Sequence, residues 1–148
     1  MLGLGVLMFC YACQPKQAND TAQSAETSTQ SITDGTYCYE YRVGQDLTTV
    51  QLFINGNNIT GEMHWIPFEK DGAHGTLAGT RDGAEIKALY SYMIEGSSQT
   101  EEVMFKIEGD QLLRKVGELE DPNFDGNLKL KDPENTSYGE TYTQVACQ

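Results

Sequence analysis

The alternation of apolar and polar residues along the chain predicts a series of short β-strands. The clearest case is Leu47–Ile66, in which two alternating runs meet at Asn55-Gly56. Asn-Gly between such runs favours a β-hairpin, because a type I′ turn needs positive φ at both central positions. This turn sets Leu52 opposite Ile59 and leaves one apolar and one polar face. Such a pattern is typical of an antiparallel sheet with one side packed on a core.

The same alternation continues downstream and predicts a closed sheet. Gly61, Gly75 and Gly79 fall inside strands, where glycine often marks a bend or a close approach of backbones. Eight or nine strands joined by tight turns predict a single antiparallel up-and-down β-barrel, because closure removes exposed sheet edges. An open two-layer sandwich is the alternative. The other predicted elements are a strand at Thr36–Tyr41, hairpins over Thr76–Tyr90 about Asp82-Gly83 and over Val103–Val116 about Gly109-Asp110, a loop at Ser97–Thr100, and strands at Asn127–Lys131 and Thr141–Val145.

The N-terminal residues differ in composition from the rest of the chain and predict where the protein is located in the cell. Residues 1–12 are apolar, which matches a secretory signal and is too short for a bilayer span of ~20 residues. Cys10-Tyr11-Ala12-Cys13 resembles the lipobox of bacterial lipoproteins, which implies removal of residues 1–12 and a lipid on the Cys13 thiol. Residues 13–34 are mostly small and polar, so they predict a disordered tether before a domain over residues 35–148. A frayed apolar N-terminus or an internal strand is the alternative.

Composition limits the classes of partner. At 148 residues the chain has room for one folded domain, and 15 glycines and eight tyrosines suit a tightly turned β-domain. The formal net charge of −12 opposes binding to nucleic acid or to an anionic lipid surface and favours a basic protein or a cation. Residues 118–140 alone hold seven acids and two lysines.

Two cysteines belong to the predicted domain, Cys38 in its first strand and Cys147 after its last. In a closed up-and-down barrel these strands are neighbours, and export places the thiols in an oxidising compartment. We therefore predict a Cys38–Cys147 disulfide, which requires Cα atoms ~4.4–6.8 Å apart. Free thiols or a thiolate metal site are the alternatives, although two cysteines without a nearby histidine make a poor zinc set.

Residues with metal-binding or catalytic chemistry are few. His64 and His74 are the only histidines, and they could share a cation with a nearby carboxylate or simply be solvated strand residues. Asp121–Gly126 overlays the start of an EF-hand calcium loop. Its flanks are predicted strands, whereas an EF-hand needs two helices, so a hairpin connection is favoured. No nucleophile elbow, phosphate-binding loop or HExxH motif occurs, and we expect no catalytic residue, metal or cofactor.

Several stretches resemble a group of small uncharacterised bacterial lipoproteins, and the resemblance implies an envelope protein with a lipocalin-like barrel. It implies no activity. A weaker similarity to the membrane-bound C-type lysozyme inhibitors lies in Tyr37-Cys38 and the late Cys147. The stretches that carry the first resemblance are Gly35–Tyr41, Ile54–Gly61, Glu69–Gly79 and Val145–Cys147.

These observations predict a non-enzymatic lipoprotein of the bacterial envelope, anchored in the outer membrane through Cys13, whose barrel binds a small apolar ligand or serves only as a structural module of the envelope. The competing hypothesis is an acidic protein that binds or inhibits a basic protein such as lysozyme, since opposite charge accelerates encounter. No nucleic-acid partner is expected for so acidic a chain.

Overall fold

A computed structural model describes residues 31–148, so the predicted signal peptide, Cys13 and most of the predicted tether lie outside the described residues. Within that range the secondary structure is entirely β, with ten strands. The strands are β1 (Gly35–Val43), β2 (Asp46–Asn55), β3 (Asn58–Ile66), β4 (Ala73–Asp82), β5 (Glu85–Ile94), β6 (Ser97–Glu108), β7 (Gln111–Lys115), β8 (Leu119–Glu120), β9 (Asn127–Leu130) and β10 (Tyr138–Val145).

Eight of these strands close into a barrel. Strands β1 to β7 form an antiparallel meander in which each strand pairs with the next, and β10 pairs with both β7 and β1. The short strands β8 and β9 form a ribbon beside the barrel, where β9 runs parallel to β6 at Thr100 and Glu101. The predicted closed up-and-down barrel is confirmed, and the open sandwich is excluded.

The predicted strand register of the first two hairpins is wrong, because each turn lies one residue further along the chain than predicted. Leu52 pairs with Gly61 rather than Ile59, and the central residues of the first turn are Gly56-Asn57. The second hairpin likewise turns at Gly83-Ala84. In both cases glycine takes the first central position with φ near +60°, as in a type II′ turn, so Asn-Gly does not form the predicted type I′ turn. The third hairpin turns at Gly109-Asp110 as predicted.

The predicted loop at Ser97–Thr100 is also wrong, because these residues open β6. Glu95 and Gly96 both have positive φ, 49° and 77°, as a type I′ turn requires, and Ile94 pairs directly with Ser97. The polar run Ser97–Thr100 pairs with the end of β5. Its hydrophilic composition reflects the exposure of this part of the wall rather than a break in the sheet.

Alternate side chains of the eight strands fill the barrel interior. The in-strand glycines allow close packing: an added Cβ at Gly75 would collide with the carbonyl oxygen of Ser91, and one at Gly79 with that of Lys87. The predicted close backbone approach is therefore confirmed at these positions. The buried interior cluster consists of Tyr39, Val50, Leu52, Ile54, Ile59, Met63, Leu77, Ile86, Ala88, Tyr90, Val103, Phe105, Ile107, Leu112 and Tyr142.

The two ends of the barrel are built differently. The turn end carries the start of β1 and the two-residue turns after β2, β4 and β6. The loop end carries the loop 67–72, the turn after β5 and the segment 116–137, which includes β8 and β9.

Candidate functional site

Residues 31–34 cover the turn end. Ile32 packs against the buried cluster, and an Asp34 carboxylate oxygen accepts a hydrogen bond from the Gly56 amide at 2.8 Å. The Arg81 guanidinium donates to the carbonyl oxygens of Gly56 at 2.7 Å, Gly83 at 3.0 Å and Ile32 at 3.3 Å. Backbone groups and an aliphatic side chain thus close this end, although residues 31–34 belong to the segment predicted as tether.

The loop end carries a shallow groove that combines a small apolar surface with charged side chains. Trp65, Ala73 and Ile94 are register partners on the inward face of three adjacent strands. The short Ala73 side chain lets Trp65 and Ile94 flank a depression, and Trp65 remains 37% exposed. The resulting groove, here called the mouth groove, has a volume of about 730 Å³ and a charged rim. The rim residues are Glu69, Lys70, Asp71 and Glu95.

The loop beside the mouth groove is held by backbone contacts. The Phe68 amide donates to an Asp46 carboxylate oxygen at 2.8 Å, which ties the loop 67–72 to the start of β2. Gly72 lies so close to Trp65 that an added Cβ would collide with the Trp65 carbonyl oxygen. One wall of the mouth groove is therefore fixed by the strand that carries Trp65.

A charged cluster lies on the inward face between the mouth and the core. One terminal nitrogen of Arg114 lies 2.8 Å from a Glu101 carboxylate oxygen, and the other lies 3.3 Å from Glu140. These three side chains are only 18%, 13% and 23% exposed, respectively. The Tyr142 hydroxyl donates to Glu140 at 2.6 Å. Arg114 is the register partner of Phe105 on β6 and of Glu140 on β10, so the cluster links these two strands at the end of β7.

The electrostatics of this cluster favour fixed charges. Burial alone would lower the pKa of the Arg114 guanidinium, but Tyr142, Glu101 and Glu140 together raise that pKa above its ordinary value. Burial is also the main cause that raises the pKa of the Tyr142 phenol. Both groups therefore keep their protons at neutral pH, and the cluster supplies ion pairs at a half-buried position rather than a group poised for proton transfer.

Two pairs of tyrosine rings occupy the interior next to the charged cluster. The rings of Tyr41 and Tyr142 lie 5.1 Å apart, and those of Tyr90 and Tyr92 stack at 4.5 Å. The Tyr90 hydroxyl donates to the Met63 carbonyl oxygen at 2.9 Å. The interior at the loop end is therefore occupied by aromatic side chains, and space for a ligand lies above them, in the mouth groove.

The predicted disulfide is confirmed. Cys38 and Cys147 are bonded, and their Cα atoms are 5.3 Å apart. Cys38 pairs with Val145 across the β1–β10 seam, which is the strand adjacency that the prediction required. The predicted lipidation site, Cys13, lies outside the described residues.

The two histidines are neighbours without forming a metal centre. His64 and His74 are register partners on β3 and β4, with ring centroids 6.3 Å apart, and Glu62 lies 3.6 Å from His64. Among residues 31–148, no three histidine, cysteine or acidic side chains converge in a metal-binding arrangement.

The Asp121 loop is a strand connection, as favoured. The Asp121 carboxylate accepts hydrogen bonds from the backbone amides of Asp125 at 3.1 Å and Gly126 at 2.9 Å. These amide contacts, that of Gly126 foremost, lower the pKa of Asp121. Strands β8 and β9 flank the loop, so it lacks the helices of an EF-hand, and the carboxylate that would begin a calcium loop organises the turn instead.

The sequence analysis did not identify the residues at the loop end. Arg114 had a usable signal, because the third hairpin places this charge on the same face as Leu112 and Phe105. A charge on an apolar face indicates a paired or functional group. Trp65 gave no comparable signal, since its exposure depends on Ala73 and on a loop that follows its own strand.

Comparisons with known proteins give no relative: no protein family, curated protein or solved structure matches this chain. Residues 31–148 also contain no helix of the length and apolarity needed to cross a membrane.

Proposed function

We propose that this chain is a non-enzymatic lipoprotein of the bacterial cell envelope, held in the outer membrane through a lipid on Cys13, and that it binds a small apolar ligand at the loop end of its barrel. The observation that carries the binding proposal is the mouth groove. Trp65 and Ile94 leave apolar surface open to solvent there, whereas apolar surface on the inward face is otherwise mostly buried.

The filled core supports a site at the mouth rather than at the barrel centre. An eight-stranded barrel has an interior just wide enough for side chains or for one small ligand. Here Tyr39, Leu52, Phe105 and Tyr142 are each at most 1% exposed and occupy that interior. A ligand therefore binds between the interior tyrosine rings and solvent, and it contacts side chains at the rim of the mouth groove.

The chain enters the folded domain at the end of the barrel opposite the mouth groove. The segment that leads from the proposed anchor reaches the domain at Ile32 and Asp34, which lie against the turn end. Because the proposed tether joins the barrel at its turn end, the loop end is the end farther from that attachment point. The mouth groove is then accessible to molecules in the surrounding compartment.

Fluorescence of the single tryptophan, Trp65, provides a direct test of binding. Titration with the neutral apolar dye N-phenylnaphthylamine is expected to quench Trp65 by energy transfer. Replacing Ile94 by Ser removes part of the apolar surface and is expected to weaken binding about tenfold, since burial of such a side chain is worth ~1.5–3 kcal/mol. Ile66→Ser is the matched control, because Ile66 is 51% exposed on the outer face of β3. Equal effects of the two substitutions would contradict binding at the mouth groove.

Acyl labelling tests the anchor separately. In a bacterial host that processes lipoproteins, the chain is expected to incorporate labelled fatty acid, and processing is expected to be sensitive to globomycin. Cys13→Ala is expected to abolish the label, because the thiol carries the lipid. Label that survives this substitution would exclude the lipoprotein proposal and leave the mouth groove unaffected.

A second function, binding to a basic protein, is favoured by the segment at the loop end. Residues 118–140 hold seven acids and two lysines, and Phe124 in this segment is 93% exposed. Opposite charge would accelerate encounter, and the phenyl ring would provide a contact. The test is inhibition of a basic lysozyme at low ionic strength, where charge attraction is least screened. Unchanged lysozyme activity would exclude this partner.

A further inference from the structure

A second groove lies on the outer wall of the barrel, separate from the interior. It has a volume of about 590 Å³, within the range of small-molecule sites. Its floor is the outward face of β4, β5 and β6, and its side wall is the turn that leads into β9. We call it the outer groove. Its lining residues are His74, Ser91, Tyr92, Met93, Ser98, Gln99, Thr100, Asp125, Gly126 and Asn127.

The outer groove exists because short side chains replace long ones on this part of the wall. Ser91 pairs with Thr100, and Thr100 pairs in turn with Asn127, so hydroxyl and amide side chains form a row across three strands. Neighbouring strands are ~4.8 Å apart, which gives the row a regular spacing. Lower on the same wall, Lys87 and Glu102 extend across the surface and form an ion pair at 3.0 Å.

The turn at the side of the groove is fixed to its floor. The Thr100 hydroxyl lies 3.3 Å from the Gly126 carbonyl oxygen and also contacts the Asn127 amide oxygen. The Asn127 backbone amide donates to the Asp125 carboxylate at 3.0 Å. The side wall is therefore held in place before any ligand arrives, which lowers the entropic cost of binding.

The chemistry of the lining limits the ligand. Asp125 is the only aspartate, glutamate, lysine or arginine among the lining residues, although the chain carries a net charge of −12. One carboxylate without a cation disfavours phosphate and other anionic ligands. In the floor of the groove, β4 and β5 pair with strands on both sides, and β6 pairs with β5 on one side and with β9 at Thr100 and Glu101 on the other. Little free strand edge is therefore left for an extended peptide.

With anionic ligands and extended peptides disfavoured, the lining suits a neutral ligand that contacts hydroxyl and amide groups around a small apolar surface. Met93 is 45% exposed and supplies that surface between His74 and Ser98, its two register partners. We propose that the outer groove binds a neutral oligosaccharide, whose hydroxyls pair with the serine, threonine and asparagine side chains while one sugar face lies on Met93. The proposal depends neither on the lipid anchor nor on the mouth groove.

Titration calorimetry of the purified full chain with chitotetraose, cellotetraose and maltotetraose tests this proposal. At least one of these neutral tetrasaccharides is expected to bind with a Kd below ~1 mM. Ser91→Trp fills the groove floor and is expected to weaken that binding at least about tenfold. Ser98→Ala removes one hydroxyl and is expected to weaken it roughly threefold.

Two control variants make the result specific. Thr80→Trp puts the same bulky side chain on the exposed face of β4, far from the groove, and is expected to leave saccharide affinity unchanged. Ile94→Ser alters the mouth groove alone and is expected to leave it unchanged as well, which separates this proposal from the proposed function. The proposal is overturned if none of the three tetrasaccharides binds below ~1 mM, or if Ser91→Trp weakens binding no more than Thr80→Trp.

Discussion

The two ends of this barrel use the same residue type, arginine, in opposite ways. At the turn end, Arg81 donates to three backbone carbonyl oxygens and fastens residues 31–34 over the core. At the loop end, Arg114 pairs with two half-buried carboxylates inside the wall. The turn end is closed by contacts to backbone carbonyl oxygens, whereas at the loop end Arg114 neutralises two carboxylates within the wall. In the proposed function, the turn end stabilises the barrel and the loop end contacts the ligand.

Removal of the disulfide is expected to have the largest effect, since it loosens the β1–β10 seam near the turn end. Cys38→Ser with Cys147→Ser is expected to lower the free energy of unfolding by about 4 kcal/mol, because the bond closes a loop of 109 residues. Urea unfolding of the oxidised chain and the double variant measures the difference. A change below ~1 kcal/mol would mean that ladder pairing alone holds the seam.

Replacement of Arg114 by Met is expected to have the second largest effect. This change keeps an unbranched side chain with a similar apolar stem but leaves Glu101 and Glu140 without their cation at 13% and 23% exposure, so the expected loss of stability is about 3 kcal/mol. The triple variant that also carries Glu101→Gln and Glu140→Gln is the control. The triple variant is expected to regain part of the stability that Arg114→Met loses. If it regains none, the loss comes from changed packing and not from the unpaired carboxylates.

The same substitution at Arg81 is expected to cost less. Arg81→Met removes three donors from carbonyl oxygens that water can reach, so the expected loss is ~1 kcal/mol. Thermal unfolding of the Arg81→Met and Arg114→Met variants under the same conditions compares their losses of stability. Equal losses of stability in the two variants would contradict the proposed difference between the two ends.

The buried tyrosines predict a pH dependence for the interior between the ends. Burial raises the pKa of Tyr39 and of Tyr90 to about 12, from an ordinary value of 10.0. Because the folded state holds these protons more tightly than the unfolded state, their contribution to stability is complete below about pH 10 and is lost as the pH rises toward 12. Absorbance titration is expected to separate a group of tyrosines with raised pKa values from the exposed ones. A single transition near pH 10 would contradict this.

Much of the fold could be predicted from the sequence, because alternation and turn chemistry are local. The closure of β1 on β10 and the Cys38–Cys147 bond followed from strand number and chain order. The register of the first two hairpins did not follow, since Gly56 and Gly83 each fit either central position of a two-residue turn. Only the packing of the facing strands selects between the two registers.

The candidate site could be predicted less well, because its contacts are distant in sequence. Arg114 meets Glu140 only through the β7–β10 pairing, which contains an irregularity between Tyr138 and Glu140. No local pattern indicates that pairing. The apolar character of Trp65 was evident, but its partial exposure depends on Ala73 and on the loop between them.

The central claim is that ligands reach this barrel at the loop end, and amide chemical-shift mapping with N-phenylnaphthylamine tests it most directly. Binding at the loop end is expected to shift the amide resonances of Trp65, of the loop 67–72, and of Ile94 and Glu95, with residues 54–59 and 81–84 of the turn end unchanged. Shifts centred on the turn end, or on core residues such as Leu52 and Phe105, would contradict it.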